Sequence, residues 1–588
     1  MAALFTTPKR NDKTSGAHFA EPDVRRRTLL AHGSWRRVTR RIVVGAVCAL
    51  TVSSLLMPSV SLAAEWVDVG GTQYYAAAGD EAGTWSWDGA DDMKLSGYDG
   101  GTIKAAGKLN LSYGGVNTVT NNNGRGILVE DGANENAELN IQGGASDTLN
   151  VTSSSDAIIS IGDINIDGAG TVNATSTGFD AIDAKGDLTI KGSGNVNATG
   201  DSDGIRAGGN ITIDNSGTVT AKAFEEKGIQ ANENLTVKGG GKVEASSIED
   251  EAIWAKTNID ISGGSQVKAS SEEDYAVKAK GSLTVSNASL NATGIGYGIY
   301  VYEGITLDGA AVTVRASSDS DEVLALYTDE DDIVIKNGST VDAFAEGRFS
   351  VAISTRNSST NGAGGHIYIS DSVVKAIARY VESGSDGPDH YSNDQDGETI
   401  PEPEGLNIGI YAQTYEGITP ATISIVRSRV TAEGDTAAIF ALAIREDGEA
   451  IGTIEIKDAT IQTPAGGKVI DYRNEEELSD GIAYEAGQTI GTGDATIDSP
   501  YDAAVAKSTV IAPPEETKPE EKPGEAKPES PKFEDTKTTR TVAVAATEAK
   551  TTGKLAATGD ASSSVIVATA LAGTAAIAAG AVINRKRS

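Results

Sequence analysis

The sequence predicts an all-β chain built as a right-handed, three-sided parallel β-helix, and three observations predict it. Short apolar anchors return at a near-constant interval. Each anchor sits in an in-out-in triplet. One turn position holds only Gly or Asn. About 13 coils of roughly 24 residues are expected.

The first anchor is Ile158, Ile182, Ile205, Ile229, Ile253, Val277 and Ile299. The second is Ile166, Ile190, Ile213, Val237, Ile261, Val285 and Leu307. The third is Val172, Val196, Val219, Val243, Val267, Leu290 and Val314. Triplets such as Ile182-Asp183-Ala184, Leu188-Thr189-Ile190 and Val196-Asn197-Ala198 alternate with period two, as strands with one buried face do. Three short strands per repeat cannot form sheets of their own. Stacking each on its counterpart in the next repeat buries every column and pairs the backbone. No repeat holds a 3.6-residue period for ten residues, which excludes a helical solenoid. Two residues beyond the second anchor stand Gly168, Gly192, Asn215, Gly239, Gly263, Asn287 and Gly309. These residue types tolerate a left-handed backbone, so the position is a turn with φ > 0.

Weaker anchors extend the array. Ile103, Leu111, Val119, Ile127, Ile141 and Leu149 supply two coils upstream. Ile335 with Val341, Ile353 with Ile369 and Val374, Ile410 with Ile425 and Val430, and Ile439 with Ile456 and Ile461 supply four downstream. At about 4.8 Å per stacked strand the rod is roughly 60 Å long. The β-helix is assigned to 101–463. Residues 65–100, with Trp85-Ser86-Trp87-Asp88-Gly89 and Leu95, read as an N-terminal β cap, and 464–512 as a C-terminal cap. The cap tryptophans have a second reading as a sugar-stacking patch.

The two termini read as addresses. Residues 1–64 begin with a long basic stretch including Arg25, Arg26, Arg27, Arg36, Arg37, Arg40 and Arg41, then turn apolar from Ile42 to Met57. Small residues Ser61, Ala63 and Ala64 follow. This is the pattern of a signal peptide with its cleavage region. Residues 513–554 interleave Pro with Glu and Lys and cannot bury a core, so a disordered linker is expected. At 555–588, Leu555-Ala556-Ala557-Thr558-Gly559 precedes an apolar stretch, Val565 to Ile583, and a basic tail, Arg585-Lys586-Arg587. The stretch is just long enough to span a bilayer. Motif, apolar span and basic tail together resemble the cell-wall sorting signal of sortase-anchored Gram-positive surface proteins. The resemblance implies cleavage between Thr558 and Gly559, with sortase and peptidoglycan as partners and the linker crossing the wall. The expected location is extracellular and wall-anchored.

Composition narrows the function. The net charge of −34 repels nucleic acid. The one cysteine, Cys48, falls in the signal region, which leaves no thiol for catalysis, zinc or a disulfide. No catalytic residue is assigned. Repeats such as Asp180-Ala181-Ile182-Asp183-Ala184-Lys185-Gly186-Asp187-Leu188-Thr189-Ile190 are similar to those of bacterial β-helix proteins described as carbohydrate-binding. That resemblance implies a polysaccharide or host-surface glycan as ligand, with calcium as a possible companion.

The outward residues of the first strand read Ile159, Asp183, Arg206, Gln230, Trp254, Lys278 and Tyr300, and the flanking turns add Tyr275, Tyr297 and Tyr302. Trp254 and Tyr300 are expected two coils apart, roughly 10 Å, which suits one or two sugar rings. Lys278 between them suits a ligand carboxylate. Asp180, Asp183 and Asp203 lie on adjacent coils beside Arg206. Carboxylates so stacked repel unless protonated or bridged by a cation, which makes them the candidate calcium ligands. A non-catalytic binding module or adhesin is the reading preferred here. A passive surface stalk is the alternative, and a polysaccharide lyase or hydrolase using the Asp group stands third.

Overall fold

A computed structural model of the chain describes residues 64–513, except 133–136, 319–321, 358–363, 382–406, 416–420, 435–436, 445–451, 464–468, 473–494, 499–501 and 506–507. The signal region before Ala64, the linker beyond Pro513 and the sorting motif lie outside the described residues, as does the polar stretch at 386–405.

Among the described residues the chain is all-β, and three parallel sheets stack side by side. The first runs through 13 parallel strands from Ile103–Ala106 to Ala437–Ile444. The second runs through 14, from Asp92–Ser96 to Gly452–Lys457. The third runs through 13, from Asp99–Gly100 to Arg429–Glu433. Each coil contributes one strand to each sheet, which makes a three-sided parallel β-helix. The stack begins at Asp92, nine residues before the expected start.

The first two anchor columns stand in the expected register, Ile158 on Ile182 on Ile205 and Ile166 on Ile190 on Ile213. Their side chains point inward and are almost completely buried. The third column departs at both ends: upstream, Val119 pairs with Val151 and not with Leu149. Leu290 pairs with Val312, and Val314 pairs with Ala292. Both valines are buried on the same face. A slip of two residues preserves the inside-outside pattern, so the pattern alone cannot choose between them.

The residue just before the first anchor is Ala or Gly on every coil from Ala157 through Ala181, Gly204, Gly228, Ala252, Ala276 and Gly298 to Ala325 and Ala352. Here the coil turns its corner and neighbouring backbones close in. A Cβ at Gly204 would lie 2.7 Å from Gly228 O and from Lys222 N. Of the seven turn residues predicted to be left-handed, six are, from Gly168 (φ 128°) to Asn287 (φ 48°) and Gly309 (φ 60°). Asn215 is the exception. It folds its side chain in, and its Nδ2 donates to Gly194 O at 2.9 Å. The column continues downstream as Asn337, Asp371, Arg427 and Asp458, all with positive φ. In those last three coils Arg427 forms a two-pronged ion pair with Asp371, both contacts 2.8 Å.

Antiparallel strands cover both ends of the first two sheets and the far end of the third, which blunts these edges against further pairing. Trp66–Val69 pairs antiparallel with Ile103–Ala106, and Trp85–Trp87 with Asp92–Ser96. Trp85 and Trp87 are buried, and the Trp87 indole donates to Ala90 O at 2.8 Å. Cap packing therefore occupies these two rings, and the sugar-stacking alternative does not hold for them. At the far end Ser508–Ala512 inserts antiparallel between Arg429–Glu433 and Thr460–Thr463. The strand holding Ile461 was expected to stack directly on that of Val430. It is instead separated from it by this inserted strand.

Candidate functional site

The outer face of the first sheet carries every predicted binding residue. Strand register stacks Ile159, Asp183, Arg206, Gln230, Trp254, Lys278 and Tyr300 in one outward column and continues it with Tyr327, Ser354, Tyr411 and Phe440. A second column along the adjacent corner reads Asp156, Asp180, Asp203, Lys227, Glu251, Tyr275 and Tyr297. The face is therefore ionic toward the N-terminal end and aromatic toward the C-terminal end.

Four tyrosines form the aromatic part. Tyr275 lies 4.6 Å from Tyr297 edge-on and 5.7 Å from Tyr300 in a stacked arrangement, centroid to centroid. Tyr300 lies 5.4 Å from both Tyr297 and Tyr327. Burial raises the phenol pKa of Tyr297 and Tyr300 well above the usual range, so both rings stay neutral. The Tyr297 hydroxyl donates to Glu322 at 2.8 Å. Tyr302 stands exposed, with its hydroxyl donating to Glu330 at 2.7 Å. Trp254 is half-buried two coils from Tyr300, as expected. No ring contact among the described residues joins it to the tyrosine cluster.

Lys278 is placed as predicted but is not free. Its Nζ lies 2.5 Å from Glu251 Oε1 and 4.6 Å from the centre of the Tyr275 ring. Glu251, 3% exposed, spends that lysine's charge inside the protein. Burial and the neighbouring Asp250 push the Glu251 carboxyl up to about 7. Burial also pushes Asp250 up, but hydrogen bonds from Glu251 and Lys227 outweigh it and hold Asp250 at about 2. Lys227 Nζ reaches Asp250 at 2.6 Å and Glu251 at 3.6 Å. Asp250, Glu251 and Asp274 bring carboxylate oxygens within 4.8 Å of one another. Lys227 and Lys278 already pair with Asp250 and Glu251.

The ionic part is a recess of about 230 Å³. Its floor is Asp156, Asp180 and Asp183, none more than 6% exposed. Its rim is basic and open: the side chains of Arg125, Lys185 and Arg206 are 43%, 42% and 37% exposed. Phe179 stands at the mouth, 57% exposed. Arg125 Nε donates to Asp156 at 2.9 Å, and Arg206 lies loosely 3.8 Å from Asp180. Lys185 Nζ forms an ion pair with Asp183 Oδ2, yet neither Asp183 oxygen accepts a well-aligned hydrogen bond. Burial raises the Asp183 carboxyl above its ordinary value despite that lysine.

The candidate calcium ligands need correcting. Asp203 turns away from the floor. Its Oδ1 accepts from Lys227 N at 2.9 Å, and its Oδ2 lies 3.9 Å from Arg206. Burial, then Asp180, push its carboxyl up to about 7. Asp156 takes its place, and the oxygens of Asp156, Asp180 and Asp183 come within 4.8 Å of one another. That span is twice a calcium–oxygen bond of about 2.4 Å, so the spacing fits. The charge fits less well, because three basic side chains already face the floor, and a cation requires Lys185 to leave Asp183.

Sequence reasoning missed Asp156, Arg125, Phe179 and Glu251. The signal for Asp156 was present: it precedes Asp180 by one repeat. No protein-family model, curated protein or solved structure matches this chain.

Proposed function

We propose that this chain is an exported surface protein, anchored to the cell wall through Thr558, whose β-helix binds polysaccharide without catalysis. One observation carries the binding part. A row of aromatic rings runs along the outside of the first sheet, held rigid by mutual contact between Tyr275, Tyr297, Tyr300 and Tyr327. Rigid, half-buried rings offer sugar C–H faces a platform that costs little side-chain entropy on binding. Trp254 prolongs the row by one coil. The basic start, apolar span and sorting motif support export and anchoring. They place the sheet outside the cell, where polysaccharide is met.

The carboxylate group on this face does not favour hydrolysis or lysis. Asp180, Asp183 and Asp203 are held in ion pairs and backbone hydrogen bonds, and Asp203 faces away from the other two. A glycan-array screen of the full-length chain, with and without calcium, tests the proposal. Binding lost in the Trp254→Ala, Tyr300→Ala double variant is the expected result. No glycan bound under either condition refutes it and leaves the stalk reading. Release of Thr558 from the wall fraction on mutating Leu555 tests the anchor separately.

A further inference from the structure

We infer that the recess at Asp156, Asp180 and Asp183 is a separate binding site for a single polyhydroxylated ring, a pyranose, taken up directly and without a metal. The site lies three to four coils from Trp254 toward the N-terminus, off the aromatic row.

The starting point is Asp183. Lys185 balances its charge, but a carboxylate 1% exposed with no aligned donor on either oxygen lacks the hydrogen bonds it would have in water, which is costly. Asp183 lines the recess, so what satisfies it must enter from there. Three kinds of group would do so: a metal ion, an ammonium or a hydroxyl. Charge decides among them. The recess is lined by three carboxylates, Asp156, Asp180 and Asp183, against Arg125, Lys185 and Arg206. The net charge is thus close to neutral, and a divalent ion would overcompensate it. A neutral ligand that donates hydroxyl hydrogens leaves the balance intact.

The remaining groups suit the same ligand. The outer faces of Arg125 and Arg206 offer N–H donors to ring and hydroxyl oxygens, already aimed by their pairing with Asp156 and Asp180. The exposed ring of Phe179 at the mouth offers a flat apolar face for the C–H side of a pyranose. The volume of about 230 Å³ holds roughly eight waters at about 30 Å³ each. That is room for one small ring and its hydroxyls, below the size of drug-sized sites. The inference rests on the polysaccharide reading only for its choice of a sugar ring.

The test is titration of the full-length chain with a panel of methyl pyranosides (neutral, amino and uronic), read by ligand-observed NMR. At least one neutral glycoside is expected to bind in EDTA. Phe179→Ala should weaken it about fivefold, the scale of one aromatic contact, and Asp183→Asn at least tenfold, the scale of a charged hydrogen bond. Phe179 is exposed, so its variant answers even if Asp183→Asn misfolds. Trp254→Ala should leave glycoside binding unchanged. The inference is overturned if no neutral glycoside binds, if binding requires added calcium, or if both recess variants bind like the wild type. Glycoside binding lost in Trp254→Ala overturns it too, since the ring would then lie on the aromatic row. Glycosides bound in the recess with no polysaccharide bound would sustain this inference while the polysaccharide reading fails; the reverse pattern separates them the other way.

Discussion

Gly192 and Gly263 occupy the same turn column, one and two coils from Asn215, yet substitution should treat them very differently. At Gly192 φ is +100°, and an added Cβ would press on Gly168 O, with Gly168 N at 2.9 Å and its carbonyl carbon at 3.1 Å. Left-handed backbone costs an L residue about 1–2 kcal/mol, and forcing a methyl into packed backbone adds about 1–3 kcal/mol. The stiffer unfolded chain returns about 0.4–1 kcal/mol. Gly192→Ala should therefore destabilise its coil by about 2–4 kcal/mol. At Gly263 φ is +68° and the nearest atom lies 3.3 Å away. Asn287, one coil on, already holds this place at φ 48°. Gly263→Asn should stay within about 0.5 kcal/mol. Stacked coils contribute locally, so the assay is hydrogen exchange by mass spectrometry on peptides spanning each turn, not a global melt. In Gly192→Ala, exchange around 188–215 should accelerate roughly 30- to 700-fold. An acceleration under about threefold, or an equal effect at Gly263→Asn, would refute both the register of the column and the steric account of it.

Three further outcomes follow from the same structure. Asp203 has its carboxyl raised to about 7 from an ordinary 3.8, so the folded state holds a proton there that the unfolded state releases. Its contribution is present below about pH 4 and is lost as pH rises toward 7. Asp203→Asn keeps an acceptor for Lys227 N and should flatten the decline in urea midpoint between pH 4.5 and 7.5, by an amount on the order of 2–4 kcal/mol. An unchanged pH profile would contradict the raised carboxyl. Trp87→Ala removes a ring 2% exposed and its bond to Ala90 O. Loss of about 3–5 kcal/mol is expected, visible as faster exchange in Ile103–Ala106 and Asp92–Ser96, and a local effect below about 1 kcal/mol would argue against a cap. Gly204→Val should place branched carbons against Gly228 O and Lys222 N, whereas Ala252→Gly, at the same corner, should cost only about 1 kcal/mol. Comparable exchange in the two variants would show that the corner is not tightly packed.

Most of the fold was legible because a β-helix repeats one solution. Each anchor must bury its side chain, and each coil must stack on the last, so periodicity translates directly into register. Gly and Asn at the turn reveal backbone conformation because few other residues adopt it cheaply. The slip at Val312 and Val314 shows the limit, since two inward positions of one strand are equivalent to the pattern. The cap at 464–512 was expected, but the insertion of its strand Ser508–Ala512 beside Arg429–Glu433 was not: antiparallel closure happens once, and a single event has no period.

The candidate site was half legible. Register placed Trp254, Lys278 and Tyr300 on one face, because side chains alternate along a strand. It could not say which partners they choose. Lys278 turns to Glu251, 27 residues away in sequence, and Asp203 turns to Lys227 N. Phe179 and Arg125 sit in turns, where no alternation rule assigns a direction.

The sequence by itself determined the stacking, the buried columns, the left-handed turn and the aromatic and ionic halves of one face. All four follow from local periodicity and residue type. Only the tertiary structure decided that the tyrosines pack on one another, that Lys278 is spent on Glu251, and that Asp156 closes a recess around an Asp183 carboxylate without an aligned donor. These depend on rotamers and on contacts between coils, where electrostatics and burial compete over a few ångströms that no one-dimensional pattern encodes.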